Sequence, residues 1–325
     1  MEKVLITGEV PEHAQKMLES AGLNVDVFTG EKLIEKATLM ERSQDASFLI
    51  TPLSTKIDAE VIDHAPKLKL IANFGAGFNN IDTDYAKNKG IMVTNTPFVS
   101  TVSTAEVTVG LIISLSHRIP EGDHLMRTTG FNGWAPLFFL GHELSNKVLG
   151  IIGMGQIGQA VAERMKAFGV HILYTQHHRL SKQRENELGA EYVEMDNLIE
   201  SSDIISLHLP LSDKTHHMIG ANEFKHMKKN TILINAARGP IIDEDALLSA
   251  LLGHEIAGAA LDVYEKEPIV ADEFKKLKNV ILTPHIGNAT FEARNAMAEI
   301  VASNVVASLQ NKEPKYIVNG VQTKA

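Results

Sequence analysis

The sequence contains no cysteine, and this absence excludes several kinds of chemistry. Disulfide bonds, thiolate zinc sites and a cysteine nucleophile all need the missing thiol. The chain also lacks an apolar run of eighteen residues, so no segment is predicted to span a membrane. The first residues show no signal-peptide pattern. We therefore expect a cytoplasmic protein, and the sequence predicts no metal site.

Positive charge is also scarce. The chain has 31 lysines and arginines against 40 acidic residues, which gives a net charge of −9. This balance gives no electrostatic support to nucleic-acid binding. Apolar residues make up 44% and charged residues 22%, which is typical of a globular protein, and 325 residues suggest two domains.

The most informative stretch, 148–158, joins an apolar run of strand length to three glycines spaced G-x-G-x-x-G. Gly153 permits a tight turn, Gly155 lets a pyrophosphate approach the backbone, and Gly158 allows a helix to pack closely on the sheet. A helical pattern over 156–168 and a second apolar run follow. This setting of the motif, between strand and helix, predicts a dinucleotide-binding site.

Strand-like runs alternate with helical patterns along most of the chain, which predicts parallel sheets covered by helices. The first 95 residues contain the runs 4–8, 25–28, 47–51, 70–73 and 92–95. The later runs are 148–152, 170–175, 204–207, 231–235, 257–261 and 280–283. Six strands with the glycine motif after the first are typical of the doubly wound dinucleotide fold.

Two long helices are predicted outside these alternating units. The first covers 101–117 and is ended by Pro120, and its apolar composition predicts burial between domains or subunits. The second covers 289–310 and is expected to return to the first domain. Residues 121–147 are less regular and contain Trp134, which is as typical of a loop anchor as of a substrate contact.

Three later strands end in residues that suit one reaction. Arg238, an acidic residue and His285 follow strands whose carboxyl ends meet at one sheet edge, where such folds bind ligands. Reduction of a ketone by hydride leaves an oxyanion that a histidine can protonate, while a carboxylate fixes the histidine tautomer. Arginine binds a substrate carboxylate through two hydrogen bonds.

The sequence resembles the D-isomer-specific 2-hydroxyacid dehydrogenases over essentially its whole length. The matching segments are 235–243 (NAARGPIID), 260–268 (ALDVYEKEP) and 284–287 (PHIG). The resemblance implies a Rossmann dinucleotide-binding domain, 100–287, inserted in a flavodoxin-like substrate domain, which comprises 1–99 and the returning C-terminal helix in 288–325.

The same resemblance implies roles for individual residues. Arg238 would hold the substrate carboxylate and carbonyl, His285 would be the general acid, and Glu267 its partner. Glu265 has no assigned role and is expected to be solvated. Asp262 would bond the nicotinamide amide. The remaining implied cofactor contacts are Thr104, Gly153, Gly155, Gln156, Ile157, Gly158, His177, His178, Arg179, Leu209, Pro210, Thr215, Ala236, Arg238, His285 and Gly287.

The segment 73–82 (NFGAGFNNID) resembles the family's substrate loop. Backbone N–H groups of Ala76 and Gly77 would meet the substrate carboxylate, as exposed donors of glycine-rich turns bind anions. Leu53 matches a position that faces substrate in relatives. A plain tight turn is the alternative for this loop. Closure of the loop over the second domain would exclude water.

The sequence is most similar to the glyoxylate/hydroxypyruvate reductase branch, on 133–134 (GW), 141–144 (GHEL) and 288–290 (NAT). We expect reduction of small 2-keto acids by a homodimer. The alternatives are a family dehydrogenase for another substrate, such as a phosphoglycerate-like or larger 2-keto acid, and a nucleotide-sensing interaction protein on the same fold.

The cofactor prediction depends on the end of the second strand of the nucleotide domain. NAD sites usually place an acidic residue there to bond the ribose 2′-hydroxyl. This sequence has His177, His178 and Arg179 and no acid, which favours NADP, with NAD possible. The alternative is that Arg179 only points to solvent.

Overall fold

Parallel strands form two separate sheets, and the computed structural model, which describes residues 1–30 and 32–322, confirms the predicted α/β class. One unit contains residues 1–100 together with the chain from Ala289 onward, and the other is Thr101–Asn288. The second unit is thus inserted in the chain of the first. Within the described residues, no helix has both the length and the apolar character needed to cross a bilayer.

The sheet of the first unit has five parallel strands in the order β2-β1-β3-β4-β5, which is the flavodoxin-like order. The strands are β1 (Lys3–Ile6), β2 (Asn24–Val27), β3 (Ala46–Pro52), β4 (Leu70–Phe74) and β5 (Met92–Thr94). β3 and β4 are buried almost throughout. Helices cover both faces of a parallel sheet, so its inner strands are buried on both sides and their sequences are continuous apolar runs.

Four helices connect these strands, and polar caps fix where two of them begin. The helices are α1 (Glu12–Ser20), α2 (Lys36–Ser43), α3 (Ala59–Asp63) and α4 (Thr83–Asn88). The side chains of Asp58 and Asp82 accept hydrogen bonds from the first-turn N–H groups of α3 and α4. Such caps satisfy donors that have no partner within the helix.

The sheet of the second unit has seven parallel strands in the order β12-β11-β10-β9-β6-β7-β8. They are β6 (Val148–Ile152), β7 (His171–Thr175), β8 (Ala190–Tyr192), β9 (Ile204–Leu207), β10 (Ile232–Asn235), β11 (Gly258–Leu261) and β12 (Val280–Leu282). The chain runs outward from β6 in both directions. The switch between β6 and β9 opens a crevice at the carboxyl ends of the strands, where such sheets bind ligands.

The helices of the second unit cover both faces of its sheet. They are α5 (Thr101–Ser116), α6 (Ile119–Thr128), α7 (Gln156–Lys166), α8 (Lys182–Leu188), α9 (Met195–Ser201), α10 (Ala221–His226), α11 (Glu244–Leu252) and α12 (Asp272–Lys276). The apolar α5 packs against α7, β10 and β11, which explains its composition. The last helix, α13 (Phe291–Leu309), belongs to the first unit and packs on α1 and β4.

Two elements differ from the sequence-based expectation. The short strand β8 was not predicted, and it extends the sheet to seven strands. Pro120 does not end the preceding helix, which stops at Ser116. It lies instead in the first turn of α6, where proline is favoured because the N–H that it lacks needs no partner. Part of the segment expected to be irregular is therefore helical.

Candidate active site

The glycine loop after β6 has room for glycine alone at two positions. Gly153 has a φ of +96°, and a Cβ on it would lie 2.5 Å from the carbonyl oxygen of His208. A Cβ on Gly158 would lie 2.3 Å from the carbonyl oxygen of Gly153. The first glycine therefore permits the turn, and the second lets α7 pack against the loop.

The space beside Gly155 suits a bound pyrophosphate. Among the described residues, apart from its two chain neighbours, no atom lies within 4 Å of a Cβ built on Gly155, so the surface at the start of α7 is open. Gly155 is also the cap residue of α7 and offers no side chain to its first N–H groups. The unpaired donors and the helix dipole together favour an anion here. Gln156 and Ile157 form the first residues of this helix.

A second wall of this crevice comes from the segment after β9. The Cδ2 atom of Leu209 would lie 2.9 Å from a Cβ on Gly153, so the two loops are in contact. The Thr215 hydroxyl donates to the Pro210 carbonyl at 2.7 Å and fixes this turn. Of the residues implied as cofactor contacts, Leu209 thus adjoins the glycine loop, and Pro210 and Thr215 belong to the turn that follows it.

His285 and Glu267 form a hydrogen-bonded pair, as the proposed proton relay requires. Nδ1 of His285 lies 2.9 Å from Oε2 of Glu267. The backbone N–H of Tyr264 donates to the other carboxylate oxygen at 3.0 Å. Burial alone would raise the pKa of Glu267, but the bond to His285 and the charges of His285 and Arg238 outweigh it and lower that pKa.

The loop that carries His285 is held by a fully buried carboxylate. Asp262, directly after β11, accepts hydrogen bonds from the Thr283 hydroxyl at 2.6 Å and from the N–H groups of Ile286 and Gly287, both at 2.8 Å. His285 itself has a φ of +52°, a left-handed conformation that its neighbours must enforce. Such strain, of about 1 kcal/mol or more, persists where surrounding contacts over-determine the backbone.

These contacts refine the role implied for Asp262. Its carboxylate accepts hydrogen bonds from three donors of its own chain, and these bonds position the loop of His285. One carboxylate oxygen, Oδ2, receives a single bond and can accept another. The predicted bond to the nicotinamide amide therefore stays a prediction.

Arg238 has its guanidinium available for a ligand. Its Nη1 donates to the Ala237 carbonyl at 2.6 Å, and within the described residues no carboxylate lies in ion-pair distance of it. Burial lowers the pKa of the guanidinium, and the charge of Glu267 opposes this shift. The adjacent Gly239 lies so close to the loop of Glu267 that a Cβ on it would meet the Tyr264 carbonyl carbon at 1.9 Å.

The first unit contains the predicted substrate loop, after β4. The buried Asn73 side chain donates to the carbonyl of Gly77 at 2.6 Å, and Asn95 donates to that of Ala76 at 2.7 Å. With the carbonyls fixed, the N–H groups of Ala76 and Gly77 have no acceptor among the described residues. Leu53 packs beneath the loop, because its Cδ2 atom would lie 2.3 Å from a Cβ on Gly75.

Comparison with known proteins places the chain in a family. A family model described as D-isomer specific 2-hydroxyacid dehydrogenase, NAD binding domain, matches residues 109–287. A protein of Staphylococcus haemolyticus, with the provisional name of a 2-hydroxyacid dehydrogenase, is 53% identical over 98% of this chain and 100% of its own. The chain belongs to the D-isomer specific 2-hydroxyacid dehydrogenase family.

Solved structures of this dehydrogenase family have the same fold. A glyoxylate reductase from Paecilomyes thermophila is 32% identical with a TM-score of 0.86, and the match covers 98% of both chains. An NADPH-dependent glyoxylate/hydroxypyruvate reductase from Sinorhizobium meliloti is 29% identical with a TM-score of 0.85, over 99% of this chain and 100% of that one. The predicted family and fold are thus confirmed.

Among the cofactor contacts that the dehydrogenase family implies, the segment after β7 differs from expectation. His177 and His178 lie together, with 3.2 Å between Nδ1 and Nε2. Arg179 does not simply point to solvent, because its Nε donates to Glu185 at 2.6 Å. This acid is not evident at the strand end in the sequence, since Glu185 lies six residues beyond Arg179 and is brought back by α8.

Another carboxylate was misjudged. Glu265 was expected to be solvated, but its side chain is only 25% exposed and lies 3.1 Å from Nε2 of His217. Its N–H also donates to Glu244 at 2.7 Å. No sequence pattern indicates this pair, because His217 is far from Glu265 along the chain and the two come close only in the folded structure.

Several positioning residues were also missed by sequence reasoning. Asn235 is buried at the end of β10 and bonds both the N–H of Ala237 and the carbonyl of Arg238, each at 3.0 Å. The Tyr264 hydroxyl donates to the Thr283 carbonyl at 2.8 Å. A signal was available, since polar residues at the carboxyl ends of buried strands bind either ligands or the adjacent loops.

Proposed function

We propose that this dehydrogenase reduces small 2-keto acids, such as glyoxylate and hydroxypyruvate, to D-2-hydroxy acids. The observation that carries the proposal is the 2.9 Å pair of His285 and Glu267 beside an arginine that has no carboxylate partner among the described residues. A bound reduced nicotinamide would supply the hydride to the carbonyl carbon. The residues of this chain would bind the acid and supply the proton.

Each residue of the pair has a defined task in this proposal. Glu267 holds Nδ1 of His285, so the transferable proton lies on Nε2. As the carbonyl carbon accepts the hydride, Nε2 gives its proton to the carbonyl oxygen, and the C=O bond becomes CH–OH. Arg238 would bind the substrate carboxylate through its planar fork. We assign carboxylate binding also to the N–H groups of Ala76 and Gly77, and a substrate-facing role to Leu53.

We further propose that NADPH is preferred to NADH. Three features support this preference. His177, His178 and Arg179 follow β7, and the sequence has no acidic residue at this strand end. A similar reductase from S. meliloti is NADPH-dependent. A carboxylate at this position would repel a 2′-phosphate, whereas a guanidinium attracts it.

We propose a homodimer on the basis of an exposed apolar segment, 131–140. Phe131, Trp134, Leu137 and Leu140 are 50%, 85%, 85% and 60% exposed. Monomers rarely leave so much contiguous apolar surface in water. A cavity of about 910 Å³ adjoins the same segment, and Leu140 and the starts of β10 and β12 line it. A second copy would cover this surface, which sedimentation at several concentrations tests. The cytoplasmic location stays a prediction.

A panel of 2-keto acids, assayed with NADPH and with NADH, tests the catalytic proposal. We expect turnover of glyoxylate and hydroxypyruvate, faster at low cofactor concentration with NADPH. Activity confined to larger keto acids would indicate another dehydrogenase of the family. No turnover of any member, with cofactor binding intact, would indicate a nucleotide-sensing protein instead.

A further inference from the structure

The side chain of Glu185, on α8, is a buried charge that the proposed reaction does not use. It is 1% exposed. Its two oxygens accept four hydrogen bonds: from Nε and Nη2 of Arg179 at 2.6 and 2.9 Å, from the Tyr174 hydroxyl at 2.8 Å and from Nζ of Lys182 at 3.1 Å. These bonds, that of Arg179 first, lower the pKa of Glu185 to about 2, so the carboxylate is charged throughout the neutral range.

The bidentate pair fixes the plane and the direction of the Arg179 guanidinium. The guanidinium lies over the ring of Tyr192, 5.4 Å from its centroid, and the side chain is still 52% exposed. One edge of the fork is engaged by Glu185, and Nη1 has no partner within the described residues. An arginine has five N–H donors, so an outward edge remains for a second anion.

The local charge still favours an anion. Two cations, Arg179 and Lys182, surround one carboxylate, and both are more than half exposed, whereas the carboxylate is buried. An anion approaching from solvent at the end of β7 therefore meets the cations before Glu185. A fixed guanidinium also loses less rotamer freedom on binding than a mobile one.

We propose that Glu185 is a positioning residue for cofactor selection, which holds Arg179 in the orientation that binds the 2′-phosphate of NADP. This inference rests on the proposed preference for NADPH. The position of Glu185 explains why the end of β7 can lack an acid. In an NAD site the carboxylate lies beside the ribose and bonds its 2′-hydroxyl, whereas Glu185 lies behind Arg179 and orients it.

Binding of two cofactor fragments tests the inference without turnover. The dissociation constants of 2′,5′-ADP and 5′-AMP are measured by calorimetry for the wild type and for Glu185→Gln. We expect the variant to bind 2′,5′-ADP about tenfold more weakly, since a charge-assisted fork is lost, while 5′-AMP changes by less than about twofold. The NADPH-to-NADH ratio of kcat/KM should fall by the same factor.

Two further variants control this experiment. Glu187→Gln removes an exposed carboxylate on the same helix, whose Oε2 lies 3.0 Å from Nη1 of Arg184. This variant should change the dissociation constant of neither fragment. Tyr174→Phe keeps the charge of Glu185 but removes one of its donors, and should weaken 2′,5′-ADP binding by about two- to threefold, as expected for one hydrogen bond. This milder variant decides the question if Glu185→Gln fails to fold.

Several outcomes would overturn the inference. If Glu185→Gln weakens the binding of 2′,5′-ADP and of 5′-AMP equally, the role of Glu185 is structural alone. Tighter binding of 2′,5′-ADP by Glu185→Gln would show that Glu185 neutralises Arg179. If the wild type does not prefer 2′,5′-ADP, the proposed NADPH preference fails, and the inference with it. If Arg179→Ala loses that preference but Glu185→Gln and Tyr174→Phe keep it, only the inference fails.

Discussion

Two glutamates on one loop of the second unit each pair with a histidine from another segment. Glu267 bonds His285 at 2.9 Å, and Glu265, two residues earlier, bonds His217 at 3.1 Å. The four side chains are between 25% and 38% exposed. Distance and burial therefore do not tell a proton relay from a structural ion pair.

The pairs differ in which ring nitrogen is bound and in what lies near it. Glu267 holds Nδ1 of His285, and the outer nitrogen, Nε2, has no partner in the part of the chain that the structure describes, so it can reach a substrate. Glu265 binds Nε2 of His217, and only the nitrogen next to the backbone remains. The charge of Arg238 also acts on Glu267. Position and neighbours, and not the pair itself, mark the candidate acid.

The largest difference between the two pairs is expected when the histidines are removed. His285→Ala should lower kcat for keto-acid reduction by about 10²- to 10⁴-fold, because a general acid typically contributes that much. Cofactor binding, measured by fluorescence titration, should persist. His217→Ala is the matched control, and its kcat should stay within a few-fold of the wild type. Equal losses in both variants would contradict the assignment.

Replacement of the arginine near one pair should have the next largest effect. Arg238→Lys keeps the charge but loses the planar fork, so kcat/KM should fall by about 10- to 100-fold. The midpoint of thermal unfolding should change little, since the Arg238 side chain makes one hydrogen bond among the described residues, to the Ala237 carbonyl. Unchanged KM and kcat would show that the substrate carboxylate is bound elsewhere.

The two glutamates should differ in their effect on the pH profile. Because the pKa of Glu267 is lowered, its carboxylate is charged at neutral pH, with Oε2 2.9 Å from Nδ1 of His285. A negative charge in contact with a cationic general acid stabilises the acid form. Glu267→Gln removes this charge, so the alkaline limb of the profile for reduction should move to lower pH. Glu265→Gln should leave the profile in place. If the alkaline limb does not move in Glu267→Gln, a group other than Glu267 stabilises the protonated form of the general acid.

Much of the fold follows from sequence because the chemistry is local. Apolar runs such as 148–152 and 231–235 become buried parallel strands, and the glycines at 153 and 158 occupy places where a Cβ would meet backbone. The pairing of Glu267 with His285 was also predictable, since both follow neighbouring strands, β11 and β12, of one sheet.

The rest depended on contacts that sequence distance conceals. β8 has three residues and no apolar run, so it depends on its pairing with β7. A proline such as Pro120 can follow the end of one helix or lie in the first turn of the next, and the sequence does not distinguish the two positions. Glu185 and His217 reach their partners only through the tertiary fold. For polar residues of this kind, the sequence reveals the type of side chain but not its partner.

The smallest expected effect concerns the Tyr264 hydroxyl, which lies 3.2 Å from the Leu261 carbonyl oxygen and supports the loop of the His285 pair. It donates to the Thr283 carbonyl at 2.8 Å, and burial raises its pKa to about 12, so it remains a donor at every physiological pH. Tyr264→Phe should therefore lower the free energy of unfolding by about 1 kcal/mol, the value of one hydrogen bond. The variant should lower kcat no more than a few-fold.

The pH profile of Tyr264→Phe separates support from chemistry. The backbone N–H that binds Glu267 is unchanged in the variant, so the alkaline limb should coincide with that of the wild type. A shifted limb would mean that the hydroxyl acts on the charge of the His285–Glu267 pair. Chemical denaturation and a pH series of kcat together decide between these roles, because a donor that stays protonated over the assayed pH range can alter stability without moving the pH profile.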